Sequence, residues 1–120
     1  MLDIRRFGPG HRRPDAPPRI IGMHPATIFH DDTLAVIELH FEPKGEIWEH
    51  DAPYPILFVV IEGRGMVRVG GEETHMEAGQ AVVWPANVLH KAWAEDAPFT
   101  AIAVEMTYRQ ELCYAHVTPR

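Results

Sequence analysis

The sequence predicts an all-β domain, and three observations carry that prediction. From about Ile20 onward, short β-branched segments alternate with glycine and proline turns, at a spacing typical of a sandwich or barrel. No segment shows the apolar period of a long helix. The chain has 120 residues, 46% of them apolar, which suits one domain with a single core.

The individual segments support this interpretation in order. In 33–42, apolar residues alternate with Glu38, His40 and Glu42, as expected of a half-buried strand. The segment 56–61 is apolar throughout, which predicts a strand buried on both faces. Further strands are expected in 66–69 and 72–77, joined by a hairpin turn at Gly70-Gly71, in 81–84, around Trp93, in 99–108, and at the edge in 112–117.

The N-terminal residues have a different composition. Four of the chain's 11 prolines fall within residues 1–18, beside several arginines. Such a segment is expected to be an arm and not part of a core. The sequence therefore predicts a Pro/Arg-rich arm over 1–19 and one barrel domain over 20–120.

Charge and cysteine content exclude several classes of protein. The net charge is −6 and the chain has no long basic run, so nucleic acid is not an expected partner. The longest apolar run, 56–61, is far shorter than the roughly 20 residues that cross a bilayer, so no membrane partner is expected. Cys113 is the only cysteine, which rules out an intrachain disulfide. With no secretory signal, we expect a cytoplasmic protein.

Two motifs give the fold a more specific form. The spacing Gly79-x5-Pro85-x-Asn87-x2-His90 resembles the second signature of the cupin superfamily, with asparagine in place of a glycine where a left-handed backbone is wanted. Upstream, the segment 45–67, with Gly45, His50 and Glu62-Gly63, resembles the first cupin signature. The resemblance implies a small, single-domain, RmlC-like cupin: a double-stranded β-helix, or jelly-roll barrel.

The resemblance also implies a metal site, and the sequence matches it in part. Metal-binding cupins hold the ion with two histidines and a glutamate of the first signature and a histidine of the second. His50 and His90 match two of these ligands, whereas Ala52 and Ile56 occupy the other two positions. The implied cofactor is a divalent ion (Fe, Mn, Ni or Zn) on His50 and His90.

The sequence leaves open which residue could supply a third ligand. Glu49 and Asp51 adjoin His50 but should point to the opposite face of a regular strand. His40 and Glu105 are further candidates whose facing depends on how the strands pair.

Aromatic residues near the two signatures suggest a ligand pocket. Trp48 is expected to share the face of His50, Trp93 follows His90 closely, and Tyr54 lies between the signatures. Trp48, Tyr54 and Trp93 are therefore predicted to bind an apolar or planar small molecule. For Trp84 and Phe58, core packing is the preferred interpretation.

Three functions follow as hypotheses. The first is a metal-dependent enzyme acting on a small organic molecule through His50 and His90. The second is a metal-free module that binds or senses a small molecule without catalysis. The third is a metal-free isomerase or epimerase with one of the two imidazoles as base, for which the sequence offers no obvious second acid. A homodimer is expected, because the arm and the segment 112–117 could cover open sheet edges.

Overall fold

The computed structural model describes residues 1–107, and these form seven β-strands without a helix. The predicted strand at 112–117 and Cys113 lie outside the described residues. Nothing in residues 1–107 is helical, long and apolar enough to cross a membrane. The strands are β1 (Ile20–His30), β2 (Ala35–His50), β3 (Ile56–Val69), β4 (Glu72–Glu77), β5 (Ala81–Trp84), β6 (His90–Trp93) and β7 (Phe99–Glu105).

The two longest strands close the structure into a barrel. The first half of β2, residues 35–41, pairs with β7, and its last residues, 46–50, pair with β6. In the same way, β3 pairs with β7 over 56–63 and with β6 over 66–69. Because β6 and β7 each join β2 to β3, the hydrogen-bonded circuit is closed. Strands β1, β4 and β5 flank it, which gives the jelly-roll architecture that the sequence predicted.

Side-chain alternation divides β2 between the two faces as predicted. Leu39 and Phe41 are buried in the core, and Ile37 packs against them. Glu38 and His40 lie on the opposite face. The prediction that the apolar run in β3 is buried on both faces is wrong. Its inward residues Ile56, Phe58 and Val60 are buried, but the alternate residues are half-buried and Ile61 is exposed, because only one face of β3 packs into the core.

Two positions of the signatures, Asn87 at a turn and Gly65 at a close packing contact, show why glycine or a substitute for it is needed there. Asn87 has a φ of 63°, so asparagine does adopt the left-handed conformation expected at that position of the second signature. Gly65 is needed for a different reason: a Cβ atom there would lie 2.2 Å from the Phe99 ring. Only a residue without a side chain lets β3 approach that ring.

Residues 1–19 lie along β1 and β2. Glu38, although only 2% exposed, is paired with Arg12 (Nε to Oε1, 3.1 Å) and also accepts a hydrogen bond from the Gly8 backbone (3.0 Å). The Asp15 carboxylate accepts a hydrogen bond from the Gly22 backbone (2.8 Å). A buried carboxylate requires such partners, so the arm satisfies a charge that the barrel face would otherwise leave unpaired.

Candidate functional site

One end of the barrel opens into a cavity of about 430 Å³. Its wall is formed by the inward-facing residues of the barrel strands, by the segment between β2 and β3, and by the arm. The lining is mostly apolar, with a small number of polar and charged groups. The charged and titratable residues that line it are Arg13, Arg19, His50, Asp51, Tyr54, His90 and Glu105.

The strand register brings the two signature histidines together. His50 ends β2 and His90 begins β6, and the two residues are direct partners across the antiparallel pair. Their rings meet edge to face, with centroids 4.5 Å apart. The two imidazoles, 40 positions apart in the chain, thus form a single polar centre on the cavity wall.

His90 is the more deeply buried of the two. Its exposed fraction is 1%, and neither ring nitrogen has a partner at good hydrogen-bond geometry within residues 1–107, although the Val88 backbone lies near enough to oppose in part the lowering of its pKa. Burial, with a smaller contribution from His50, lowers the pKa of His90 from 6.5 to about 4. His90 is therefore neutral at physiological pH, with a lone pair on one nitrogen and a proton on the other.

A hydrogen bond fixes the tautomer of His50. Its Nδ1 lies 2.7 Å from the backbone oxygen of Trp48. A carbonyl oxygen can only accept, so Nδ1 carries the proton and, in the neutral ring, Nε2 keeps its lone pair. This arrangement, with one nitrogen anchored on a carbonyl and the other free, suits either a general base or a metal ligand.

The cavity also contains an acid that the sequence could not place. Glu105 lines it, and burial raises the pKa of this carboxyl group. The Tyr54 hydroxyl donates to Glu105 Oε1 over 3.5 Å, and burial raises the pKa of Tyr54 as well. The site thus combines a neutral imidazole, that of His90, and the imidazole of His50 with a carboxyl group that retains its proton to higher pH, a combination able to move protons on a bound molecule.

His40 does not belong to this site. It lies on the other face of β2, where its Nδ1 is 2.8 Å from the Thr100 hydroxyl. Of the two candidates whose facing the sequence left open, Glu105 faces the cavity and His40 faces away.

The structure places two of the three predicted ligand-binding aromatics outside the cavity. Trp48 is 43% exposed, and Trp93 packs against Arg68 and Lys91, whose cationic groups lie 5.5 Å and 5.2 Å from its ring centroid. Neither lines the cavity, whereas Tyr54 does.

The reason lies in strand geometry. The register between β2 and β6 shifts between Ile47 and His50. Ile47 pairs with Ala92 and His50 with His90, so β2 advances by three residues where β6 advances by two. This bulge puts Ile47 on the same inward side as His50 and turns Trp48 outward. Trp93 follows His90 by three positions, an odd number, so in a regular strand it points to the other face.

Trp84, which was expected to be only a core residue, is also part of the site. Its indole stacks on His90 with centroids 4.2 Å apart and, on its other side, on Phe58 at 4.5 Å. It lines the cavity. Its position immediately before Pro85 of the second signature is the signal that could have associated it with His90.

The donor set matches a divalent ion only in part. Catalytic zinc and non-haem iron usually take three protein ligands. Within residues 1–107, no third histidine, cysteine, aspartate or glutamate stands with His50 and His90 in a group that could hold a metal. Asp51, which follows the end of β2, lines the cavity instead of pointing away as a regular strand would have it, but it does not complete such a group within residues 1–107. The two imidazoles alone do not form a complete protein site.

Comparison with known proteins identifies the family. The cupin domain model, Cupin_2, matches residues 37–105, more than half of the chain, and the chain belongs to this family. No curated protein matches the sequence.

Solved structures show the same fold. An RmlC-like cupin from Shewanella frigidimarina is 19% identical, with a TM-score of 0.74 over 92% of this chain and 96% of that one. The polyketide cyclase RemF from Streptomyces resistomycificus is 14% identical, with a TM-score of 0.79 over 92% and 82%. KdgF from a Halomonas species is 21% identical, with a TM-score of 0.68 over 76% and 84%. At these identities the likeness concerns the fold alone.

Proposed function

We propose that this cupin binds a small organic molecule in the barrel cavity, with His50 and His90 as the polar centre that orients it. The observation that carries the proposal is the buried pair of nitrogens on His90, for which residues 1–107 provide no hydrogen-bond partner of good geometry. Leaving a buried polar group without a partner costs about 1–3 kcal/mol. A bound molecule that hydrogen-bonds to these nitrogens removes that cost.

The shape and lining of the cavity support the same proposal. Its volume of about 430 Å³ lies within the range of about 300–1,000 Å³ found for small-molecule sites. Ile37, Leu39 and Ile47 provide apolar wall, and Trp84 provides an aromatic surface beside His90. A molecule with an apolar body and a few polar groups matches this lining.

A second candidate is a metal-dependent enzyme with a divalent ion on the same imidazoles. The observation in its favour is the anchoring of His50 Nδ1 on a carbonyl, which leaves Nε2 free as in many metal-ligating histidines. Such an ion would act as a Lewis acid or as a centre for oxygen chemistry. Its remaining ligands would have to come from water, from the bound molecule, or from a rearranged side chain.

Elemental analysis distinguishes the two candidates. The untagged protein would be purified without added metal or chelator, beside the His50→Ala/His90→Ala double variant. Near-stoichiometric iron, manganese, nickel or zinc that disappears in the variant would establish the metal-dependent candidate. Metal-free binding predicts that neither sample contains metal. It also predicts that small molecules raise the melting temperature of the wild type, that chelator does not change this effect, and that the variant loses it. Small molecules that stabilise wild type and variant equally would contradict the proposed site.

We also propose a homodimer in the cytoplasm. The outer face of β3 and β5 carries exposed apolar side chains, with Ile61 46% and Val83 50% exposed. Such a face is suited to pairing with a second copy. Sedimentation velocity at micromolar concentration should give the mass of two chains, and a monomer would overturn this part of the proposal.

A further inference from the structure

The arm supplies the cations of the cavity. Arg13 and Arg19 line it, whereas every other charged or titratable residue of the lining comes from the barrel strands or from the segment between β2 and β3. Both arginines precede the first strand. The open end of the barrel is therefore bordered by two arginines that the barrel strands alone do not supply.

Backbone hydrogen bonds hold both arginines in place. The Arg13 backbone donates to the Pro25 carbonyl over 2.8 Å, and the Arg19 carbonyl accepts from the Trp48 backbone over 2.9 Å. Immediately before Arg13, the pair between Arg12 and buried Glu38 fixes the arm against β2. The backbone at both arginines is thus held beside the cavity, which limits the positions that their exposed side chains can reach.

Neither cavity arginine has a carboxylate partner among the described residues. Within residues 1–107, Arg5, Arg12 and Arg68 each form an ion pair with an aspartate or glutamate. Arg13 makes only a 3.4 Å side-chain contact with the Thr27 hydroxyl, and no ion pair involves Arg19. Their charges are available to a bound molecule.

We propose that the molecule bound in this cavity is a small organic carboxylate, held at the arm side by Arg13 and Arg19 while its other end meets His50 and His90. This inference rests on the proposed function and adds the chemical class of the ligand. Guanidinium groups pair with carboxylates through two parallel hydrogen bonds, which gives orientation as well as affinity.

The acidic residues of the lining are compatible with such a ligand. Asp51 and Glu105 belong to the barrel side, and Glu105 is hydrogen-bonded to Tyr54. The cavity therefore has cations from the arm and hydrogen-bonding groups from the barrel. A carboxylate with a hydroxyl or carbonyl group a few bonds away would satisfy both, whereas a cationic molecule would be repelled by two arginines that have no carboxylate partner within residues 1–107.

Matched acid and amide probes test the inference. Benzoate, phenylacetate and hexanoate would be titrated against benzamide, phenylacetamide and hexanamide by protein-observed NMR. Four proteins are compared: wild type, Arg13→Gln/Arg19→Gln, His50→Ala/His90→Ala, and a control. The control, Arg6→Gln/Arg64→Gln, removes the same charge as the arginine variant from exposed arginines that do not line the cavity.

The expected result is that at least one acid binds the wild type about tenfold or more tightly than its amide, as charge-assisted pairing predicts. That preference should disappear in Arg13→Gln/Arg19→Gln, persist in the control, and weaken with added salt. Acids and amides that bind equally, and that are lost only in His50→Ala/His90→Ala, would overturn the carboxylate inference and leave the proposed function standing. If none of the six probes shifts resonances of cavity residues, both proposals fail.

Discussion

The two ends of the barrel are built from the same strands but differ in what fills them. At one end, Phe41 stacks on Phe99 with centroids 4.3 Å apart, and Phe58 meets both rings edge to face. At the other end, β7 finishes at Glu105, and the space inside is the cavity with the two imidazoles. One end of the barrel is thus filled by packed aromatic rings, and the other end is open and lined in part by polar groups. The aromatic cluster and the candidate site thus lie toward opposite ends of the barrel and are connected by Trp84, which stacks on both Phe58 and His90.

The packed end should carry the largest stability effect. Phe58 is fully buried and stacks on Trp84, so Phe58→Ala removes contacts on several sides and leaves a cavity. We expect a loss of about 3–5 kcal/mol in the free energy of unfolding, measured by urea denaturation. Val83→Ala, at a half-exposed position, is the control and should cost about 1 kcal/mol or less. Equal losses in the two variants would contradict the assignment of the core to this end.

The arm at the open end should have the next largest effect. Arg12→Gln leaves Glu38 buried with only the Gly8 backbone and a neutral side chain as partners. Because Arg12 keeps some exposure, we expect a loss of about 2–3 kcal/mol, below the range for fully buried pairs. Limited proteolysis should also cleave residues 1–19 faster than in Arg6→Gln. An arm that remains equally protected would show that the ion pair does not hold it.

The open end should also be sensitive to acid. Folding lowers the pKa of His90 from 6.5 to about 4, so between these values the unfolded chain binds a proton that the folded chain does not. Stability therefore falls as the pH falls from about 6.5 to about 4, by up to about 3 kcal/mol.

The variant His90→Gln should show a flatter dependence over that range, measured by thermal or urea unfolding at several pH values. His75→Gln, which changes an exposed histidine paired with Glu95, serves as the control and should retain the wild-type slope. A His90→Gln profile as steep as that of the wild type would mean that other groups carry the acid sensitivity.

A single methyl group at the packed end gives the smallest predicted effect. In Gly65→Ala the new Cβ atom would meet the Phe99 ring, so the ring or the strand must shift. We expect a loss of about 1–3 kcal/mol. Gly71→Ala, where a Cβ would meet no atom within 4 Å, is the matched control and should be near neutral. If the two glycine variants unfold at the same denaturant concentration, the result would contradict the close approach of β3 to the Phe99 ring.

Much of the fold could be predicted because it depends on local patterns. Alternation predicted the inward face of β2, an unbroken apolar run predicted the core strand β3, and the turn at Gly70-Gly71 predicted the hairpin to β4. Asparagine at position 87 indicated a left-handed residue, and its φ of 63° confirms this. These signals lie within a few residues of the structure they specify.

The candidate site was harder to predict because its parts come from distant segments. Motif spacing singled out His50 and His90, but the facing of Trp48 depends on a bulge that the sequence does not mark. Glu105 and Trp84 reach the cavity through the pairing of β3 with β7 and β5. A shift of one residue in register reverses every side chain, so an error at one bulge changes the lining of the cavity.

The sequence by itself determined the all-β class, the cupin signatures and the two histidines, because turn residues and strand alternation act over short distances. Only the tertiary structure decided that these imidazoles meet, that Glu105 faces them and His40 does not, and that Trp48 and Trp93 lie outside. It also decided that the arm presents Arg13 and Arg19 to the cavity. The physical reason is that strand register and barrel closure bring together residues far apart in the chain, and local sequence does not encode where such strands align.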